Sequence, residues 1–327
     1  MRKIFLFLLF LCTFHNVYSY DKTYAVIIGV ADYKYYGRSD GDLKYTINDA
    51  MKFYSFLMSE KGGSVPKENI VLLLNEEATK ENIIKKSKEL FANVKEKDRI
   101  FFFFSGHGLN RRFMPYDVTR TGDNVLYFSE VAEIFRHAKC NTKLLIADAC
   151  FSGTMKKWIE EGRRDRNVDE EEQKKLAAAQ NKINIAIITS CTENEKSIEL
   201  NTIEQGIFTY YLIKGLEGEA NQDDNEYITL KELIEFVNKK VKAKAAECKG
   251  KQTPGIMGKF DSRLIVAKVN LEEMRQKKLE EERKLAEKER NNFNNTVVIA
   301  IYVVVTIIVV LLIILIKRKN KRKYENL

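Results

Sequence analysis

Histidine is scarce in this chain. Three stand among 327 residues, and His15 falls in an N-terminal segment that reads as a removable leader. Only His107 and His137 then remain, which narrows the choice of a catalytic base and argues against a histidine-based metal site. Cysteine is nearly as sparse. Five are present, Cys12 goes with the leader, and Cys140, Cys150, Cys191 and Cys248 stay. So few thiols over residues 20–295 do not make a disulfide framework, although a pairing among Cys140, Cys191 and Cys248 stays open outside the cytoplasm. No C-x-x-C pair suggests zinc. There is no internal repeat, and no basic patch interleaved with aromatics of the kind that binds nucleic acid.

The net charge of +9 is a matter of topology rather than of a nucleic-acid surface. Residues 1–19 carry Arg2 and Lys3, an apolar stretch over 4–14 and the small-residue end Val17-Tyr18-Ser19, the pattern of a signal peptide cut before Tyr20. The stretch is short for a membrane anchor. Residues 296–316 hold no charge and one aromatic, Tyr302. At about 1.5 Å per residue such a helix spans roughly 30 Å, the thickness of the hydrocarbon layer. Lys317-Arg318-Lys319 and Lys321-Arg322-Lys323 follow, so residues 317–327 read as a cytoplasmic tail by the positive-inside rule. Without leader and tail, residues 20–295 carry 47 basic and 45 acidic side chains, close to neutral. The expected protein is single-pass, with its bulk periplasmic, lumenal or extracellular.

Within that bulk, residues 20–270 alternate apolar strands with amphipathic helices. Strands are expected at 23–30, 70–74, 99–105, 143–148, 184–190 and 263–269. Helices are expected at 43–58, 79–93, 129–138, 207–216 and 229–246. The implied fold is an α/β sandwich around a mostly parallel six-stranded sheet with helices on both faces. Residues 155–182 are charged and read as an exposed inserted loop. Residues 271–295 read as a solvated helical stalk, their apolar positions too sparse for a coiled coil.

Two strands end on reactive residues. One runs Ile100-Phe101-Phe102-Phe103-Phe104 into Ser105-Gly106-His107-Gly108. The other runs Leu144-Leu145-Ile146-Ala147 into Asp148-Ala149-Cys150-Phe151-Ser152-Gly153. Ligands of open α/β sheets bind at the carboxyl ends of the strands, so both residues are delivered to one edge. A thiol is a strong nucleophile only as thiolate, a state that a nearby imidazole promotes. Backbone N–H groups in the glycine turns after each residue can stabilise an oxyanion. Cys140, Cys191 and Cys248 lack a glycine turn and His137 lies in a helix; these read as structural residues.

These two motifs resemble the active-site motifs of caspase-like cysteine peptidases, particularly the metacaspase branch. The resemblance runs from about residue 22 to 264 and takes in Ile28-Gly29, Tyr33, Asn48-Asp49-Ala50, Thr189-Ser190-Cys191 with Glu199, and Gly206-Ile207-Phe208-Thr209. It implies the caspase-hemoglobinase-like fold and a thiol protease with a Cys–His dyad. Cys150 would be the nucleophile and His107 the acid/base that protonates the leaving amine, with the backbone N–H groups of Gly108 and Cys150 as oxyanion hole. Phe151 stands where metacaspases often carry a histidine, a position that is not the base.

The resemblance also implies that Asp148 lines the pocket for the residue before the scissile bond. Glu199 stands where the family usually has Asp, and Glu193 is a third acidic position. Two carboxylates favour Arg or Lys there through charge-assisted hydrogen bonds. The loop over 155–182 bears such residues, at Lys156-Lys157, Arg163-Arg164 and Lys174-Lys175, so autocleavage is expected in it. The chemistry requires no cofactor. Calcium activates some metacaspases, and Asp223-Asp224 with Glu219 and Glu226 are the acidic cluster that would take a hard cation. The other readings are a legumain- or transamidase-like enzyme on the same fold, and an inactive caspase-like receptor or scaffold.

Overall fold

The computed structural model describes residues 20–36, 43–109, 112–150, 170–172, 174–175, 178, 184–192, 195–223 and 225–325, with backbone alone at Cys150, Lys277 and 315–325. The expected leader and most of the inserted loop lie outside these residues. The chain divides into two units, Met1–Val269 and Asn270–Leu327.

The first unit is built on a central sheet. Strands β1 (Thr23–Gly29), β2 (Ile70–Leu74), β3 (Arg99–Leu109), β6 (Thr142–Cys150) and β7 (Ala186–Thr189) run parallel. Two short strands, β4 (Arg112–Phe113) and β5 (Leu126–Tyr127), extend sideways from the end of β3. β8 (Glu199–Leu200) and β9 (Gln205–Gly206) form a small hairpin. β10 (Tyr227–Thr229), β11 (Gly255–Met257) and β12 (Ile265–Lys268) complete the set, and the central order is β11-β7-β6-β3-β1-β2.

The sixth central strand differs from expectation. Residues 265–268 pair with β10 in a separate two-stranded sheet, and the sheet's edge is instead β11, antiparallel to β7. β12 reads as a central strand because it is apolar and buried, but its burial comes from covering helices rather than from the main sheet. β11 is three half-buried residues after Pro254, too short to carry a periodic signal.

Five helices flank the sheet: α1 (Thr46–Met58), α2 (Lys80–Phe91), α3 (Phe128–His137), α4 (Ile207–Lys214) and α5 (Leu230–Glu247). The phenylalanine run explains both layers. Successive residues of a strand face opposite sides. Phe101 and Phe103 meet Phe53 of α1, with ring centroids 5.7 and 4.7 Å apart. Phe102 and Phe104 instead meet Phe113, at 6.1 and 4.4 Å, and Phe102 meets Phe135 of α3 at 6.3 Å. The even face of β3 thus carries α2 and α3, and the odd face carries α1, which packs in turn on α4. Any side chain two residues beyond Phe103 starts on the α1 face.

α5 packs on α4 and starts with a capping box. The Thr229 hydroxyl accepts from the Glu232 N–H at 3.3 Å, and the Glu232 carboxylate accepts from the Thr229 N–H at 2.8 Å. Thr229→Ala is expected to cost about 1 kcal/mol in denaturant unfolding, with peptidase kinetics unchanged.

The second unit is a single helix, α6 (Leu271–Glu325), exposed wherever its side chains are described except at Leu271 and Met274, which are half-buried. Its Leu271–Ile314 portion contains a stretch long and apolar enough to cross a membrane by length and composition.

Candidate active site

β3 and β6 are neighbours in the middle of the sheet, and both run further than glycine punctuation predicts. Their ladder continues through Ser105↔Asp148, Gly106↔Ala149 and His107↔Cys150. The two reactive positions therefore sit on the last rungs of paired strands rather than in turns. Neighbouring strands lie about 4.8 Å apart, so the backbones at His107 and Cys150 are that close. Gly106 lets the ladder pass: a Cβ there would stand 2.8 Å from the Phe104 ring and 3.1 Å from the Tyr33 hydroxyl.

The His107 backbone is held on both sides. Its N–H donates to the Tyr33 hydroxyl at 2.7 Å, and its carbonyl accepts from the Met114 N–H at 3.0 Å. The half-buried imidazole lies against the Tyr33 ring, centroids 5.2 Å apart. Gly108 is buried and pairs with Phe113 of β4.

Two rungs below, on the α1 face, lies a pair of buried acids. Asp148 is 5% exposed and Asp49, on α1, is 1% exposed. Asp148 accepts from the Ser197 hydroxyl at 2.5 Å, the Thr209 hydroxyl at 2.7 Å and the Thr209 N–H at 3.2 Å. Asp49 accepts from the Ser105 hydroxyl and the Gly206 N–H, each at 3.0 Å. A Cβ on Gly206 would stand 2.6 Å from one Asp148 oxygen and 3.1 Å from one Asp49 oxygen, so the glycine lies between the two carboxyls and nothing larger fits. Burial pushes both acids above the ordinary carboxylate range, Asp49 well above it, with the Asp148 charge as its next cause. Among the described residues no Lys or Arg neutralises either group.

Glu199 joins this cluster at its rim. It is the register partner of Gly206, and its carboxylate accepts from the N–H groups of Lys44 and Tyr45 at 3.2 and 2.9 Å. Glu193 lies outside the described residues. Two members are not evident from the sequence. Asp49 belongs to the Asn48-Asp49-Ala50 stretch of the resemblance, which assigns it no role; its role comes from α1 packing on β3. Gln252, 1% exposed, donates to the Ser197 hydroxyl at 3.2 Å and so braces the donor to Asp148; it lies 104 residues from Asp148 and carries no local signal.

Of the remaining cysteines, Cys191 lies against the end of β6, and the other two, like His137, make no bond to the described residues of these strand ends. Cys140 is buried, which pushes its thiol up to about 11. Cys191 is buried and donates to the Ala149 and Glu195 carbonyls, and Cys248 is exposed beyond α5. All three are free thiols. His137 lies in the last turn of α3 beside Glu133, at 3.2 Å. The acidic cluster expected to take a cation is dispersed: Glu219 pairs with Lys214 and Glu226 with Lys268, while Asp224 lies outside the described residues. Among the described residues no group of three or more His, Cys, Asp or Glu side chains could hold a metal. A cavity of about 770 Å³ opens on the α2–α3 face, lined by Ile84, Lys88, Ser129, Glu133 and Arg136, and shares no residue with the strand-end site.

Residues 22–265 match the caspase domain. The chain belongs to this family of cysteine peptidases. It is 27% identical over 260 residues to a bacterial protein named as a probable protease, from a Desulfuromonadales bacterium, covering 67% of this chain and 30% of that one. It is 35% identical over 154 residues to metacaspase-2 of Arabidopsis thaliana, covering 40% of this chain and 34% of that one. The chain thus spans about a third of the length of these curated relatives. Caspase-1 of Spodoptera frugiperda shares the fold, with a TM-score of 0.52 at 16% identity over 78% of this chain and 93% of that one.

Proposed function

We propose that this protein is a membrane-tethered cysteine endopeptidase that cuts after Arg or Lys. The observation that carries the reading is the pairing of His107 with Cys150 on the last rung of β3 and β6, two rungs above the buried pair Asp49 and Asp148. Asp148 lies two residues before Cys150, roughly 6.6 Å along the strand. That is a suitable offset for a pocket holding the side chain before the scissile bond.

The chemistry follows from these positions. The Cys150 thiolate attacks the scissile carbonyl, and the backbone N–H groups of Gly108 and Cys150 take the oxyanion. The tetrahedral adduct collapses as the His107 imidazolium gives its proton to the leaving amine, which departs and leaves a thioester. Water then attacks the thioester, His107 takes the proton from it, and the acid product leaves with the thiolate restored. A guanidinium or ammonium in the pocket meets Asp148 and Asp49, with Glu199 at the rim. No step requires a cofactor.

The leader, the apolar half of α6 and the basic tail support an extracytoplasmic catalytic domain with a cytoplasmic C-terminus. Substrates are then proteins or peptides on that side of the membrane. In the inserted loop, Lys174 and Lys175 stand in a helical stretch, with Lys175 paired to Glu171 at 2.8 Å. A protease must unwind such a stretch before cutting it. Self-cleavage is proposed at Lys156-Lys157, at Arg163-Arg164 or, once that stretch unwinds, at Lys174-Lys175.

The test is a peptide series differing only in the residue before the scissile bond, assayed with detergent-solubilised full chain. Cleavage after Arg and Lys and not after Asp is expected. A preference for Asp would sink the specificity.

A further inference from the structure

β1 ends at Gly29, opposite Ser105, and its last act is the Val30 N–H bond to the Ser105 carbonyl at 3.0 Å. The chain then leaves the sheet. The N–H groups of Ala31 and Asp32 both donate to the Asn75 side chain, at 2.9 and 3.2 Å, and Asn75 returns a bond to the Asp32 carboxylate at 3.1 Å. β3 runs on past β1, and on that side the returning chain after β4 reaches only the His107 carbonyl, through the Met114 N–H at 3.0 Å. Groups two residues apart along a strand face the same neighbour. The N–H and carbonyl of His107 therefore face the place that β1 has vacated, and a buried N–H without an acceptor is costly.

The turn fixed by Asn75 brings Tyr33 into that vacancy. Tyr33 is 4% exposed; its hydroxyl accepts the orphaned N–H, and its ring lies 34° from the imidazole plane. This side chain thus takes the N–H that the missing strand leaves, while the Met114 N–H takes the carbonyl, and its ring forms a wall for the imidazole. We propose that Tyr33 is a positioning residue for His107, fixing the end of β3 and the ring of the acid/base. The proposal rests on the reading of His107 as acid/base. Nothing places Tyr33 against Asp49 or Asp148, so its loss should alter the chemical step and leave substrate binding intact.

The experiment compares wild type, Tyr33→Phe, Tyr36→Phe and His107→Ala as detergent-solubilised full chains with one Arg peptide. Tyr36 is the control: its ring meets Tyr33 edge-on at 6.3 Å, but its hydroxyl donates to the Thr119 carbonyl. Tyr33→Phe is expected to lower kcat about tenfold with KM unchanged, while Tyr36→Phe keeps the wild-type kcat. Wild-type kcat in Tyr33→Phe beside an inactive His107→Ala overturns the positioning role alone. So does a loss that appears in KM, or an equal loss in Tyr36→Phe. Activity in His107→Ala overturns the acid/base reading and this proposal with it. Should Tyr33→Phe not fold, 3-fluorotyrosine at position 33 keeps ring and hydroxyl but weakens the acceptor. A kcat lower by about twofold is then expected, and an unchanged kcat counts against the proposal.

Discussion

Cys150→Ala is expected to abolish peptide hydrolysis, with a loss on the order of 10⁴-fold or more, and His107→Ala to come close to it. The double variant should be no worse than Cys150→Ala alone. Nucleophile and acid/base act as one unit, so the second removal takes away an interaction already lost. The control is Cys248→Ser: that thiol is exposed and remote from the strand ends, and its variant should retain full activity. Fold is not expected to suffer in these variants. The sheet is held by Phe101 to Phe104 and their partners on both faces, and the last rung of the β3–β6 ladder is a backbone pairing that alanine also makes. Steady-state rates on an Arg peptide, read beside thermal melting, test this. Activity surviving in Cys150→Ala would remove the thiol from the mechanism.

The strand ends were legible because both signals are local. An apolar run that stops at Gly-His-Gly or Cys-Phe-Ser-Gly announces a buried strand and its exit in consecutive residues. Their true length was not legible. A glycine such as Gly106 marks a turn in sequence, whereas here it admits the Phe104 ring and the Tyr33 hydroxyl and lets the ladder run on. The sixth strand, expected at 263–269, misleads for a similar reason: its apolar run marks a strand, but which sheet that strand joins depends on non-local pairing with β10. Asp148 could be identified from its place before Cys150. Asp49 could not, because its meaning arises only when α1 crosses the odd face of β3 and sets it beside Gly206.

That helix-borne acid makes the pocket a pair, and a pair has a pH signature. Both folded-state values are raised, chiefly by burial, so the folded protein holds protons that the unfolded chain has already released. The stability linked to these acids is full below the ordinary aspartate range and is lost as pH rises through the raised folded values. Asp148→Asn removes the share of that loss due to Asp148 and, with its charge gone, part of the share due to Asp49. Its amide can still accept from Thr209 and donate to the Ser197 hydroxyl, so the variant should melt like wild type in acid and higher than wild type near neutrality. Activity should move the other way. A bound guanidinium favours the ionised pair, so the wild-type KM for Arg peptides is expected to fall as pH rises through the same window. Asp148→Asn should flatten that dependence and reduce kcat/KM for Arg peptides on the order of 10² to 10³-fold, the usual cost of removing one partner from a buried charged contact. Melting curves and KM, each measured across pH, test the two halves separately. An Asp148→Asn protein that cuts Arg peptides as well as wild type would show that these buried acids serve the fold and not the substrate.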